Sequence, residues 1–368
     1  MNRIKIHNYL SPFSFLYGIG VNFRNKLFDR RILPGEEFSI PVISIGNLTA
    51  GGTGKTPHTE YLIRLLKDKY RIAVLSRGYK RQTKNFILAN EQASAKTIGD
   101  EPFQMYRKFP DIIVAVDANR RRAINHLLAL PDDKRPEIIL LDDAFQHRYV
   151  KPSLSILLTN YSRPFYDDSL LPTGLLREPW KNHVRADMII CTKCPNSLNP
   201  IDFQTVKLNM ELLPFQSLFF SSFHYKSLRP VFPELVSIKK ESIDRLKKEH
   251  YSFLLITGLA NPTELINHVS NYTDDLRTLI YPDHHSFTSK NIQNIIDRFR
   301  SIKNKNKIII TSEKDAVRLL DNEDIPEEIK KSLYYLPIEV VFLSDQETLF
   351  KQKIESHVKE FARNRIMA

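Results

Sequence analysis

The chain has 368 residues, 42% of them apolar, with 54 Lys and Arg against 42 Asp and Glu. That length exceeds one ordinary hydrophobic core, so two domains are expected, and the net charge of +12 points to an anionic partner: a phosphorylated substrate, an anionic membrane face or nucleic acid. The two cysteines, Cys191 and Cys194 in "CTKCP", are too few for a disulfide framework or a four-cysteine zinc site, and no run of about 18 apolar residues is present to span a bilayer.

The first stretch has no small-residue cleavage site after an apolar core, so it does not read as a signal peptide. From Tyr9 to Phe28, aromatic and aliphatic residues are mixed with Arg24 and Lys26, and Arg30 and Arg31 follow. This mixture predicts an interfacial helix within residues 1–38, with its cations toward anionic headgroups. The alternative is a helix packed on the domain behind it. Next, "PVISIGN", "YRIAVLSRG", "PDIIVAV", "PEIILLDD", "LSILLTN" and "ADMIICTK" read as buried parallel strands, with "KTPHTEYLIRLLKDK" and "NRRRAINHLLAL" as helices between them. Alternation of this kind predicts a doubly wound α/β domain over residues 39–212. A Pro-rich, β-containing linker is expected at 213–235. A second, smaller α/β domain follows at 236–345, from "YSFLLITGLA" through "KIIITSEKDAVRLL" to "IEVVFL", and a terminal helix at 346–368.

Residues 49–56 read Thr49-Ala50-Gly51-Gly52-Thr53-Gly54-Lys55-Thr56. The window departs from the phosphate-loop pattern only at its first position, Thr49 in place of Gly. Its context is a buried strand before and a helix after. Glycines there let successive backbone N–H groups turn inward on phosphate oxygens, and the helix start adds positive potential. Lys55 would neutralise β- and γ-phosphate charge, and Thr56 would offer a hydroxyl to Mg²⁺. At the end of another strand, Asp142 and Asp143 supply carboxylates for the same ion. The loop therefore predicts ATP and Mg²⁺ but leaves the acceptor open: water, protein, nucleotide or another group.

Eight stretches together, "GNLTAGGTGKTP", "LSRGYKR", "GDEP", "DANRRRA", "LDDAFQHR", "LLPTGLLREP", "YPDHHSFT" and "TSEKDAV", resemble the tetraacyldisaccharide 4'-kinase (lipid A 4'-kinase) family over nearly the whole chain. The resemblance implies a P-loop kinase fold. It also implies transfer of the ATP γ-phosphate to the 4'-hydroxyl of a tetraacylated glucosamine disaccharide 1-phosphate, giving lipid IVA. The enzyme would use Mg²⁺ and sit peripherally on the cytoplasmic face of the inner membrane. Ala144 stands where the family usually has Gly, Leu175 where it often has Pro, and Ser312 where Thr is commoner.

By resemblance, Asp100 matches the family's base and is paired with a His of the second domain; His284 is favoured, with His285 as the alternative. Asp100 is placed with the phosphate loop and Asp142–Asp143 in the first half and His284 in the second, so catalysis is expected to need the two halves to close on each other. Arg177 would stabilise the transferring phosphoryl, and Glu178 would orient it or bind the metal. Arg77, Tyr79, Glu101, Asn119, Arg120, Arg121, Gln146 and His147 are candidate substrate residues. RNA-binding aromatic clusters of the RNP type are missing from the sequence, so no nucleic-acid partner is expected.

Overall fold

The computed structural model describes residues 8–237 and 241–366. The first seven residues of the expected interfacial segment, residues 238–240 of the expected second domain and the last two of the terminal helix lie outside the described residues. In chain order the elements are α1 (Ser11–Asp29), β1 (Val42–Asn47), α2 (Lys55–Leu66), β2 (Ile72–Ser76), β3 (Ile87–Leu88), α3 (Ala95–Ile98), α4 (Asp100–Lys108), β4 (Ile113–Val116), α5 (Arg120–Leu128), β5 (Ile138–Asp142), β6 (Leu154–Asn160), β7 (Met188–Thr192), α6 (Pro200–Asn209) and β8 (Ser217–Tyr225). They continue as β9 (Arg229–Pro230), α7 (Ile243–Lys248), β10 (Ser252–Thr257), α8 (Thr263–Ser270), β11 (Leu276–Ile280), α9 (Ser289–Arg300), β12 (Lys307–Ser312), α10 (Glu313–Leu320), α11 (Glu327–Ser332), β13 (Leu333–Leu336), β14 (Ile338–Phe342) and α12 (Gln346–Ile366).

The chain forms two compact units. One comprises residues 1–92, 105–223 and 340–368; the other comprises 93–104 and 224–339. The first holds a nine-stranded sheet in the order β14-β8-β7-β6-β1-β5-β2-β4-β3. From β8 to β4 the strands run parallel, and β3 runs antiparallel at the edge. The six apolar runs singled out in the sequence are the six central strands. Each is buried almost throughout, which is why it reads as continuous apolar sequence rather than alternation. Because the strands are parallel, Asn47, Ser76, Val116 and Asp142 all end at one edge of the sheet, where α/β folds place their ligands.

Three features differ from the sequence expectation. Residues 93–104, expected within the first domain, belong to the second unit. Residues 213–235 carry β8, a full strand of this sheet paired with β7, so much of the expected linker is core. "IEVVFL" was read with the second α/β series, but β14 sits beside β8 in the first sheet. Helix α12 then packs Phe350, Ile354 and Val358 into the first unit's core. There Phe350 stacks on Phe342 at 4.5 Å and meets Tyr61 and Phe219 edge-on. Periodicity shows that a segment is buried, not which sheet buries it. The second unit has its own five-stranded sheet, β11-β10-β12-β13-β9, and a core built on Leu254, Ile256, Ile292, Phe299 and Ile309.

Candidate active site

In the first unit the loop after β1 is tied down on both sides. Asn47 Nδ2 donates to Thr53 Oγ1 at 2.9 Å, and Thr192 Oγ1 at the end of β7 donates to the Thr53 carbonyl at 2.8 Å. From the other side, the Ala50 N–H donates to the Leu175 carbonyl at 2.7 Å and the Arg177 N–H to the Leu48 carbonyl at 2.8 Å. The strand-like segment 175–177 is itself held by Asp168. That buried carboxylate is forked by Arg163 at 2.7 and 2.8 Å and accepts the Leu175 N–H at 3.2 Å. Gly54 adopts φ +87°, and a Cβ there would lie 2.6 Å from Phe223 Cζ, so both backbone and space demand glycine. Gly46 is required by close approach alone, since a Cβ would fall 2.6 Å from Phe145 Cβ.

His58, one turn into α2, is 3% exposed. Its Nδ1 lies 2.7 Å from the Gly54 carbonyl, which can only accept, so Nδ1 carries the proton and Nε2 accepts from Ser221 Oγ at 3.0 Å. Burial drives its pKa down to about 4 against the raising effect of the Gly54 hydrogen bond.

Lys55 opens α2, and its Nζ lies 3.6 Å from Asp143 Oδ1. Arg177 Nη1 approaches the same carboxylate at 3.3 Å and Gln146 Oε1 at 3.4 Å. Burial alone would raise the Asp143 pKa, but Lys55, Arg177 and Arg120 together hold it below the usual carboxylate range. Asp143 sits at φ 48°, a left-handed conformation costing on the order of 1 kcal/mol for a residue with a Cβ. Ala144, in the place of the usual Gly, is buried and has no positive φ; the left-handed position is one residue earlier. Asp142 ends β5, fully buried, and accepts from Thr59 Oγ1 at 3.3 Å. Thus the first turns of α2 and the end of β5 face each other with hydroxyl, ammonium and carboxylate groups. The oxygen-only donors Thr56, Asp142 and Asp143 suit Mg²⁺.

Glu178 has another setting. It is 2% exposed and receives Arg185 Nη2 at 2.6 Å, Asn182 Nδ2 at 2.7 Å, Gln146 Nε2 at 3.1 Å and Asn25 Nδ2 of α1 at 3.2 Å. Four donors occupy the carboxylate, so its geometry is that of a hub joining α1 to the loop edge rather than that of an open metal ligand.

The remaining candidates of this unit gather at the same sheet edge. Arg77 and Tyr79 follow β2 and are exposed. Asn119 caps α5, and Arg121 lies over the Tyr149 ring at 5.2 Å. Arg120 is buried, its Nη1 donating to the Asp117 carbonyl at 3.3 Å, and burial with nearby Arg77 lowers its pKa to about 10. Burial, then Arg120, Arg24, Arg121 and Arg77, lowers the His147 pKa to about 4. Asp117, not singled out in the sequence, is buried at the end of β4 and held bidentately by Arg122 at 2.8 and 2.9 Å. Its signal was an acid directly after an apolar run.

Asp100, Glu101 and His284 lie together in the second unit, because residues 93–104 belong to it. Asp100 Oδ2 is 3.3 Å from His284 Nδ1 and 2.7 Å from Arg318 Nε. The pair therefore forms inside one unit, and the expectation that domain closure is needed to assemble it does not hold. His284 occupies φ 56°, another left-handed residue with a Cβ. Burial would raise the Asp100 pKa, but hydrogen bonds and charge from His284 and Arg318 outweigh it, and the carboxyl is held below its ordinary value. His285 turns elsewhere, stacking on Tyr281 at 4.6 Å and contacting Asn291 Oδ1 at 2.9 Å.

The sequence model of one family, described as tetraacyldisaccharide-1-P 4'-kinase (LpxK), matches residues 6–359. The chain belongs to this family. The tetraacyldisaccharide 4'-kinase of Parabacteroides distasonis is 51% identical over 363 residues, covering 99% of this chain and 98% of its own. That of Bacteroides thetaiotaomicron is 49% identical, covering 98% and 96%. The crystal structure of LpxK from Aquifex aeolicus in complex with ATP superposes with a TM-score of 0.71 at 28% identity, covering 95% of this chain and 99% of that one. The kinase is accordingly an ATP-dependent enzyme that phosphorylates the 4'-hydroxyl of the lipid A precursor. Among its described residues no helix is long and apolar enough to cross a membrane, and no cluster of three His, Cys, Asp or Glu could hold a metal. Both cysteines are free and buried.

Proposed function

We propose that residues 49–56 hold the ATP phosphates, Lys55 and Arg177 compensate the charge of the transferring phosphoryl, and Asp100 receives the acceptor proton. The observation that carries the nucleotide half is the convergence of Lys55 and Arg177 on Asp143, at 3.6 and 3.3 Å, beside a glycine-dependent helix start. Mg²⁺ would be held by Thr56, Asp142 and Asp143 together with nucleotide oxygens, and would supply further neutralisation of phosphate charge. Glu178 organises Gln146 and Arg185 around that centre. Asp100 is ionised at neutral pH, and His284 and Arg318 both meet it at Oδ2, leaving Oδ1 to accept a hydroxyl. A weakly basic carboxylate suits phosphoryl transfer, where the hydroxyl proton leaves late and positioning dominates. Arg77, Tyr79, Asn119, Arg121 and His147 supply the cationic, hydrogen-bonding edge expected for an anionic sugar; buried Arg120 supports it from beneath.

Helix α1 supports a peripheral place on an anionic membrane, the cytoplasmic face of the inner membrane. It buries Ser14, Gly18, Asn25 and Phe28 and exposes Phe13, Phe15, Leu16, Ile19 and Phe23. Ser14 Oγ donates to Thr173 Oγ1 at 2.6 Å, so the small and polar side of the helix is the side that packs. The outward apolar face, next to exposed Lys26, Arg30 and Arg31, fits insertion among lipids that also carry the acceptor. The test of the nucleotide assignment is Lys55→Ala: turnover of the acylated disaccharide 1-phosphate with ATP should fall by several orders of magnitude with thermal unfolding unchanged. A folded variant with near-normal turnover refutes it.

A further inference from the structure

Lys314 and Arg318 stand one helical turn apart on α10 and reach opposite sides of the His284 ring. Arg318 is anchored first. Asp315 is fully buried; its Oδ2 accepts the Gly258 N–H at 2.9 Å and the Ser312 hydroxyl at 2.6 Å, and its Oδ1 accepts Arg318 Nη1 at 2.8 Å. With one edge fixed, the guanidinium presents Nε and Nη2 to Asp100 Oδ2, each at 2.7 Å, and Nη2 lies 3.2 Å from His284 Nδ1. On the far side of the ring, Lys314 Nζ is 3.2 Å from His284 Nε2 and 3.2 Å from Glu101 Oε1.

An ammonium has no lone pair and only donates. Facing Nε2 at hydrogen-bond distance, Lys314 favours a lone pair there. Arg318 Nη2, 3.2 Å from Nδ1, also only donates, but it is aimed at Asp100 Oδ2 at 2.7 Å, and Nδ1 has that carboxylate oxygen 3.3 Å away, whereas Asp283 Oδ2 stands 3.8 Å from Nε2; Nδ1 therefore carries the proton. In the opposite tautomer Lys314 would meet an N–H, and Asp100 would lose the ring as a donor. Glu101 holds Lys314 in place, which gives this residue a role other than the substrate contact expected from the sequence.

We propose that Lys314 and Arg318 are positioning residues for the acceptor base: Lys314 fixes the His284 tautomer, Arg318 clamps Asp100 Oδ2, and together they aim Oδ1. This rests on the assignment of Asp100 as the proton acceptor. The experiment uses the full-length enzyme with ATP, Mg²⁺ and the acylated disaccharide 1-phosphate in mixed micelles, comparing Lys314→Met, Lys314→Arg and Asp100→Asn. The two-bond ¹H–¹⁵N spectrum of the histidine rings reads the tautomer directly. Lys314→Met should move the His284 proton to Nε2 and lower kcat by on the order of 10²-fold, the scale of a misplaced reacting group, with the KM for ATP unchanged. Lys314→Arg, still a donor, should keep the wild-type tautomer and recover most of kcat. If Lys314→Met leaves both tautomer and kcat as in the wild type while Asp100→Asn is inactive, the positioning inference is overturned and the base assignment survives. If Asp100→Asn is active, the base assignment itself has failed.

Discussion

His58 gives the kinase a built-in acid sensitivity whose size follows from its surroundings. The ring is buried against Gly54, Ser221 and Phe223, and its pKa falls from 6.5 to about 4. The unfolded chain thus binds this proton at a higher pH than the folded one. The contribution of His58 to stability is full above pH 6.5, declines as pH falls toward 4 and is flat below. A drop of about 2.5 units at 1.36 kcal/mol each corresponds to about 3 kcal/mol across that window. Urea unfolding of the wild type and His58→Gln from pH 8 to pH 4, followed by fluorescence, isolates the term, because the other histidines titrate in both proteins. The variant should be less stable at pH 8 through lost packing, and the gap should narrow or reverse by pH 4. Parallel curves for the two proteins would refute the reasoning.

Gly54→Ala should cost about 1 to 3 kcal/mol in chemical unfolding and weaken ATP binding, because φ +87° and the 2.6 Å approach to Phe223 act together; Gly52→Ala, with nothing within 4 Å of the new methyl, should leave stability within about 0.5 kcal/mol. Raising Mg²⁺ should partly restore turnover to Asp143→Asn and not to Asp100→Asn, and an equal response would mean that the two carboxylates share one role. Replacing Phe13, Phe15 and Phe23 with Ser should abolish flotation with anionic vesicles and raise the KM for the acylated acceptor while leaving ATP affinity intact; unchanged flotation would place the membrane contact elsewhere.

The phosphate loop was legible in the sequence because its chemistry is local: strand, glycines, Lys55 and Thr56 occupy one continuous stretch, and the acids sit directly after an apolar run. The parallel strands were legible for the same reason. What the sequence did not disclose are partnerships made across the chain. Residues 93–104 look like part of the first domain by order and belong to the second by packing, so the Asp100–His284 pair read as a joint between halves. Glu178 looked like one more acid beside an arginine; only the arrival of Asn25, Gln146, Asn182 and Arg185 makes it a hub. Asp168, His58 and Arg318 carried no motif of their own, since each works through a backbone amide, a carbonyl or another side chain that folding brings to it.

The route of the chain also sets an order of manufacture. Strand β8 leaves the ribosome with one sheet neighbour, and its other neighbour, β14, is made only after the whole of the second unit. Until then the first sheet carries an unpaired edge, and Phe219, Tyr61 and the helix-facing core wait for Phe342, Phe350 and Ile354. An open, apolar strand edge is what nascent chains use to pair wrongly with one another. The second unit, which needs only residues 93–104 from upstream, can close while the first is still unfinished. The last segment of the polypeptide therefore acts as the latch of the nucleotide-binding sheet, and a ribosome that stalls short of it releases a chain whose phosphate loop is complete in sequence but rests on an incomplete sheet.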